Sequence, residues 1–184
     1  MNHPVEGRGI AQSDPGKQWH VIRVRANAER QVSRSLSSKD VEVFLPVQKR
    51  APVRRRTSGE SPLFPGYVFA SFDSRFTLPV VACPGVVHIL CRGNIPEVVD
   101  PAEIHALQTV AMKARTLVPH PMLEWGEKIR IREGPLADVE GIVLRDEGGP
   151  RLVVSISLLQ RSVVAEVDRD WLERTTAGCA GRYD

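Results

Sequence analysis

The residues best suited to covalent or metal chemistry are few and scattered. Cys83, Cys91 and Cys179 stand at no CxxC spacing, and no histidines accompany them at zinc-ligand intervals. A thiol–imidazole nucleophile would need Cys83 or Cys91 beside His88 or His105, and no motif ties these together. The expectation is therefore a protein that binds rather than an enzyme, with no cofactor and no metal. Guanidinium groups are the richer resource. Arg25, Arg30 and Arg34, with Asn27 among them, cluster near one short segment, and Arg54, Arg55 and Arg56 form a run. Such groups suit phosphates and base edges. The alternative is a solvated basic face for the first set and a solvated loop for the second. A net charge of +3 permits a polyanionic partner without requiring one.

A third set is apolar. Residues 62–72, PLFPGYVFASF, open on two prolines, carry Gly66 and Tyr67, and then run hydrophobic. Read as a strand, the segment puts Pro65, Tyr67 and Phe69 on one face and Phe64, Gly66 and Val68 on the other. One face can pack on helices while the other displays an aromatic patch. The alternative is that all of these residues are core, as apolar strand residues usually are.

The elements that must position these groups follow from periodicity. WHVIRVR (19–25) reads as a strand, and Asn27 is placed to cap a helix over 28–39 with Val32 and Leu36 on one face. Residues 42–50 alternate Val43, Leu45 and Val47, with Pro46 marking an edge or bulge. A polar, basic loop over 51–61 then leads to the returning strand at 62–72. GVVHILC (85–91) is a further strand. Asp100 followed by Pro101 predicts a helix start, with Ile104, Leu107 and Ala111 at helical spacing. The fold class expected is α+β, an α/β sandwich joined to a small all-β barrel. Residues 1–17 read as a disordered leader, 18–114 as the first domain, 115–125 as a linker with two prolines and no clear period, 126–173 as the barrel and 174–184 as a frayed tail. An odd number of thiols, no signal-peptide pattern and no apolar run of membrane-spanning length point to a cytoplasmic protein without a membrane partner, expected as a monomer.

GEKIRIREGPLADVEGIVLRD (126–146) is the most specific stretch. A strand, a Gly134-Pro135 turn and Glu140-Gly141 entering a second strand resemble a KOW motif, with Gly141 letting backbone pass closely. Trp19, LFPGYVF and VSISLLQRSVVAEVD (154–168) resemble the NusG family. LLQRSV is most similar to UpxY-like antiterminators of polysaccharide operons, and SPLFPGYVFASFD to the RfaH-like type. The resemblance spans about residues 19–173 and implies an NGN domain followed by a KOW barrel. It implies a factor that binds RNA polymerase, suppresses pausing and promotes antitermination of a long operon. A housekeeping NusG, coupling transcription to translation or to Rho, is the nearest alternative, and a ribosome- or RNA-binding KOW protein another.

Residue by residue, the resemblance implies that Tyr67, with Phe64, Pro65 and Phe69, meets the β′ clamp helices. Arg25, Asn27, Arg30 and Arg34 would meet non-template DNA in the transcription bubble, and Arg75 and Thr77 the β gate loop. Leu158 and Leu159 stand where NusG carries an Ile-Phe pair that contacts a small-subunit ribosomal protein or Rho. The missing aromatic argues against Rho.

Overall fold

The computed structural model describes residues 16–50, 59–114, 116–121, 127–131, 134–146, 149–166 and 172–174. The first half is built on an antiparallel sheet of β1 (Gln18–Val24), β2 (Glu42–Phe44), β5 (Tyr67–Phe72) and β6 (Val86–Ile89), in the order β2-β5-β1-β6. Alternation along β1 sends Ile22 and Val24 to one face and Val21 to the other. The Ile22 face is covered by helix α1 (Glu29–Ser37) through Val32 and Leu36, and by the short helix α2 (Leu78–Val81) through Val80. The Val21 face is covered by α3 (Pro101–Lys113) through Ile104, Leu107 and Val110. The α3 start is as expected: the Asp100 side chain accepts the Ala102 N–H at 2.7 Å and Pro101 opens the helix.

Three local readings are corrected. Asn27 does not cap α1; it takes a left-handed φ of 62° as the third residue of a turn closed by Ala28 N–H donating to the Arg25 carbonyl, a conformation asparagine tolerates. Residues 42–50 are not one strand. The chain breaks after Phe44, and β3 (Val47–Arg50) leaves the sheet to pair with β4 (Gly59–Pro62) as a separate ribbon flanking 51–58. The returning strand begins at Tyr67, not at residue 62. The Arg54–Arg56 run, the leader up to residue 15, Cys179 and the tail beyond Arg174 lie outside the described residues.

After a small ribbon of β7 (Cys91–Arg92) and β8 (Ile95–Pro96), the second half forms one antiparallel sheet of β9 (Leu117–Pro121), β10 (Glu127–Ile131), β11 (Glu140–Asp146), β12 (Gly149–Ile156), β13 (Arg161–Glu166) and β14 (Leu172–Arg174), in the order β14-β10-β11-β12-β13-β9. The stretch read as a linker thus contains a strand of this sheet. Gly141 sits where close approach is required: a Cβ there would lie 2.6 Å from the Val153 carbonyl oxygen and 2.8 Å from a Leu152 methyl. One buried cluster runs through both halves. Val21, Phe69 and Leu107 from the first join Ile131, Leu152 and Val163 from the second, with α3 lying against β11 and β12.

His20 is the buried titratable group of the first sheet. Its Nδ1–H donates to the Glu97 carbonyl at 2.8 Å, its ring packs on Phe72 at 4.4 Å, and Nε2 has no hydrogen-bond partner. Burial holds its pKa below the ordinary 6.5. The neutral ring is the folded form, so unfolding takes up a proton below that value, and stability falls as pH drops. Urea midpoints between pH 7 and 5 are expected to decline for the native chain and to stay level for His20→Phe. A native midpoint unchanged across that range would contradict this.

Candidate functional site around Tyr67

The LFPGY stretch is a turn before it is a strand. Tyr67 N–H donates to the Phe64 carbonyl at 3.1 Å, which closes a four-residue turn with Pro65 and Gly66 in its middle. Gly66 has a φ of 82°, as the third position of a type II turn demands. A Cβ there would also lie 2.5 Å from an Arg23 guanidinium nitrogen, so that side chain would have to swing aside. The Gly66 carbonyl accepts the Val24 N–H at 2.9 Å, and its own N–H donates to buried Glu29 Oε1 at 2.7 Å. Carboxylate, glycine and turn together fix where the strand starts and where Tyr67 points.

Tyr67 is half-buried between two guanidinium groups. Arg23 of β1 stands 4.7 Å from the ring centroid, and Arg161 of β13 stands 5.8 Å from it. Arg161 belongs to the barrel sheet, so the two halves meet at this ring. A second contact lies on α3, where Glu103 accepts the Ser157 hydroxyl at 2.6 Å and the Ser157 N–H at 3.1 Å. Leu158 and Leu159 follow in the 3-10 turn Ser157–Leu159, both half-buried against the shared cluster.

The other residues expected at a docking patch separate. Pro65 is exposed, but Phe64 and Phe69 are 1% and 0% exposed and pack edge to face on each other at 5.6 Å. The turn breaks the alternation assumed for 62–72, so Phe64 falls into the same cluster as Phe69 instead of opposite it. Neither ring is available to a partner in this arrangement; both belong to the buried cluster against which Tyr67 packs. Arg25, Asn27, Arg30 and Arg34 are all exposed around the start and outer surface of α1. Arg30 is engaged by Glu60 at 3.1 Å, an exposed pair that water can replace. Arg75 is exposed and forks onto Asp73, holding that carboxyl at about 2. Thr77 precedes α2, and its side chain makes no cap. Phe76 and Leu78 beside it are exposed.

Arg23, Glu29, Glu103 and Arg161 were not picked out by motif. Glu29 carried a signal: with Val32 and Leu36 it occupies i, i+3 and i+7, an acid on the apolar face of its helix. Arg161 carried none, since its partner lies nearly a hundred positions away on another sheet.

Residues 17–108 match the family model described as NusG, transcription termination factor nusG. The transcription termination/antitermination protein NusG of Escherichia coli strain K12 is 30% identical over 180 residues, covering 87% of this chain and 97% of the relative. The NusG of Yersinia pestis is similar to the same extent. The chain belongs to the NusG family. It is a NusG-like transcription elongation and antitermination factor, from a family of transcription factors rather than enzymes. A solved structure described as domain interaction in Thermotoga maritima NusG matches with a TM-score of 0.52 over 86% of this chain and 97% of that one, at 19% identity, and supports the α+β fold. The family-model match runs from the start of β1 into α3, so it contains Tyr67, Gly66, Glu29 and Arg23.

Glu29 is testable as the anchor of this site. Glu29→Ala leaves the Gly66 N–H without its buried acceptor and is expected to cost about 1–3 kcal/mol in urea unfolding, whereas Glu29→Gln keeps an acceptor and costs less. Equal stability of the native chain and Glu29→Ala would show that the turn stands without it.

Proposed function

We propose that this chain binds RNA polymerase at the β′ clamp helices through the surface around Tyr67 and Pro65, suppresses pausing and promotes antitermination of a long operon. The observation that carries this reading is a tyrosine set at the start of a strand by a Pro-Gly turn and backed by Arg23. A half-buried aromatic with its own cation beside it is a rigid, amphipathic anchor of the kind that dominates protein interfaces. Phe64 and Phe69 are buried in the cluster that Tyr67 packs against and are not proposed as contacts. Holding a two-state clamp closed needs only higher affinity for its closed form, and no catalytic group.

The exposed set Arg25, Asn27, Arg30 and Arg34 is proposed to meet non-template DNA, with an affinity that falls as salt rises. Arg75 and Thr77, beside exposed Phe76 and Leu78, are proposed to meet the β gate loop. Leu158 and Leu159 are proposed to meet a small-subunit ribosomal protein. Rho is not proposed as a partner, because the pair lacks an aromatic. The LLQRSV wording supports an operon-specific factor for polysaccharide synthesis. Similarity to NusG along most of the chain supports a second reading, a general elongation factor. Either acts in the cytoplasm, where transcription takes place.

Docking through Tyr67 requires Arg161 to leave the ring. With purified polymerase on a template carrying a pause site, the native chain is expected to speed passage and Tyr67→Ala to lose most of that effect. Arg161→Ala is expected to reach the native effect at about two- to fivefold lower concentration, equivalent to the ~0.5–1 kcal/mol of an exposed cation–π contact. Acceleration by Tyr67→Ala equal to that of the folded native chain would overturn the docking assignment.

A further inference from the structure

Tyr67 belongs to a row that crosses three strands. In the pairing of β1 with β5, Arg23 stands opposite Tyr67; in the pairing of β1 with β6, Arg23 stands opposite His88. Directly opposed residues point to the same face, with Cβ atoms about 4.5–5.5 Å apart. His88, Arg23 and Tyr67 thus lie side by side, an imidazole, a guanidinium and a phenol. The β1–β6 register shifts between Arg23 and Val24, and β5 begins at Tyr67, so this row closes one end of the sheet.

Arg23 differs from the other arginines of this half. Arg30 has Glu60 at 3.1 Å, Arg92 has Glu97 at 2.8 Å, and Arg75 has Asp73. Arg25 and Arg34 are exposed, so water serves their donors. Arg23 is half-buried, and among the described residues no carboxylate lies within ion-pair distance of it. Its guanidinium lies against the Tyr67 ring, and one nitrogen reaches the Gly66 carbonyl at 3.5 Å. That oxygen already accepts the Val24 N–H at 2.9 Å. The ring offers no lone pair, so the donors of the fork share one long bond. Glu29 beside the turn is committed to the Gly66 N–H. His88 is exposed and likewise has no carboxylate partner among the described residues.

A guanidinium in this state favours a particular occupant. Docking onto Tyr67 takes more water from Arg23, which costs free energy unless the partner supplies an acceptor. A carboxylate fits best, being anionic, planar and able to take two parallel N–H bonds from the fork. The present neighbour on the ring is the opposite: Arg161, itself a cation, 5.8 Å from the ring centroid. An acidic occupant would put attraction where two like charges now share one ring.

We propose that the His88–Arg23–Tyr67 row selects an acidic residue: the polymerase segment that meets Tyr67 places an Asp or Glu carboxylate on Arg23, on the side where His88 stands, and an apolar neighbour on the tyrosine ring. The inference rests on the docking reading given above and adds the chemistry the partner must carry.

The test measures binding of the full chain, labelled with a fluorophore at its N-terminus, to purified core polymerase without nucleic acid. Anisotropy is read at about 0.05 M and about 0.5 M KCl, between which the screening length falls from about 14 Å to about 4 Å. All chains carry Arg161→Ala, so that the barrel's contact with the ring is absent from each. Arg23→Gln is expected to weaken binding about tenfold at the lower salt and less than about threefold at the higher. Arg23→Lys keeps the charge without the fork and is expected to fall between Arg23→Gln and its parent. Tyr67→Ala is expected to weaken binding by the same factor at both salts. Equal loss at both salts for Arg23→Gln would mean that Arg23 only props the ring. No loss would mean that the partner presents no acid there. Either result overturns the inference, while loss with Tyr67→Ala leaves the docking reading standing. Binding by Tyr67→Ala equal to that of its parent would overturn both.

Discussion

Tyr67 lies between two guanidinium groups contributed by different halves of the chain, and much of the rest of the structure serves that arrangement. Arg23 reaches the ring from the adjacent strand of the same sheet, and Arg161 reaches it from the barrel. The ring can take that position because Gly66 adopts a left-handed conformation that other residues resist, and because buried Glu29 accepts the N–H that the turn leaves over. Phe64 and Phe69 pack on each other within the buried cluster that Tyr67 borders. Each of these groups is ordinary alone; their convergence turns an apolar strand into a displayed anchor.

The same contact joins the two halves. Arg161, Ser157, Leu158 and Leu159 all lie at one end of the β12–β13 pair, and all face the first half through Tyr67, Glu103 or the shared cluster. The surface proposed for polymerase and the surface proposed for a ribosomal protein thus lie together at one internal interface. Each cation–π contact contributes about 0.5–2 kcal/mol and a charge-assisted hydrogen bond about 1.5–3 kcal/mol. Contacts of this size can hold the halves together and still yield to a competing partner of ordinary affinity.

Local rules made a good part of this legible in advance. The Asp100-Pro101 helix start, the close approach at Gly141 and the α+β order follow from chemistry within a few residues of each site. Pro65-Gly66 was visible as a turn signal, yet reading 62–72 as one strand misplaced Phe64, because a turn resets the alternation of faces. β9 was hidden by its own prolines, which mark a linker in sequence while its pairing comes from β13, more than forty residues on. Asn27 has the side chain of a helix cap, but its tolerance of positive φ serves a turn instead. The Tyr67–Arg161 pairing had no local signature, since it depends on how the two sheets meet.

The most direct test of this account is the rotational diffusion of the two halves in the intact chain, measured by backbone 15N relaxation. If Arg161 rests on Tyr67 and Ser157 on Glu103, amides of β5 and β12 will report one common correlation time, set by the whole chain. Substituting Arg161 and Glu103 by alanine together will split it into two shorter ones. Two distinct correlation times in the native chain would mean that the barrel moves independently and that Tyr67 stands uncovered, contrary to the arrangement described.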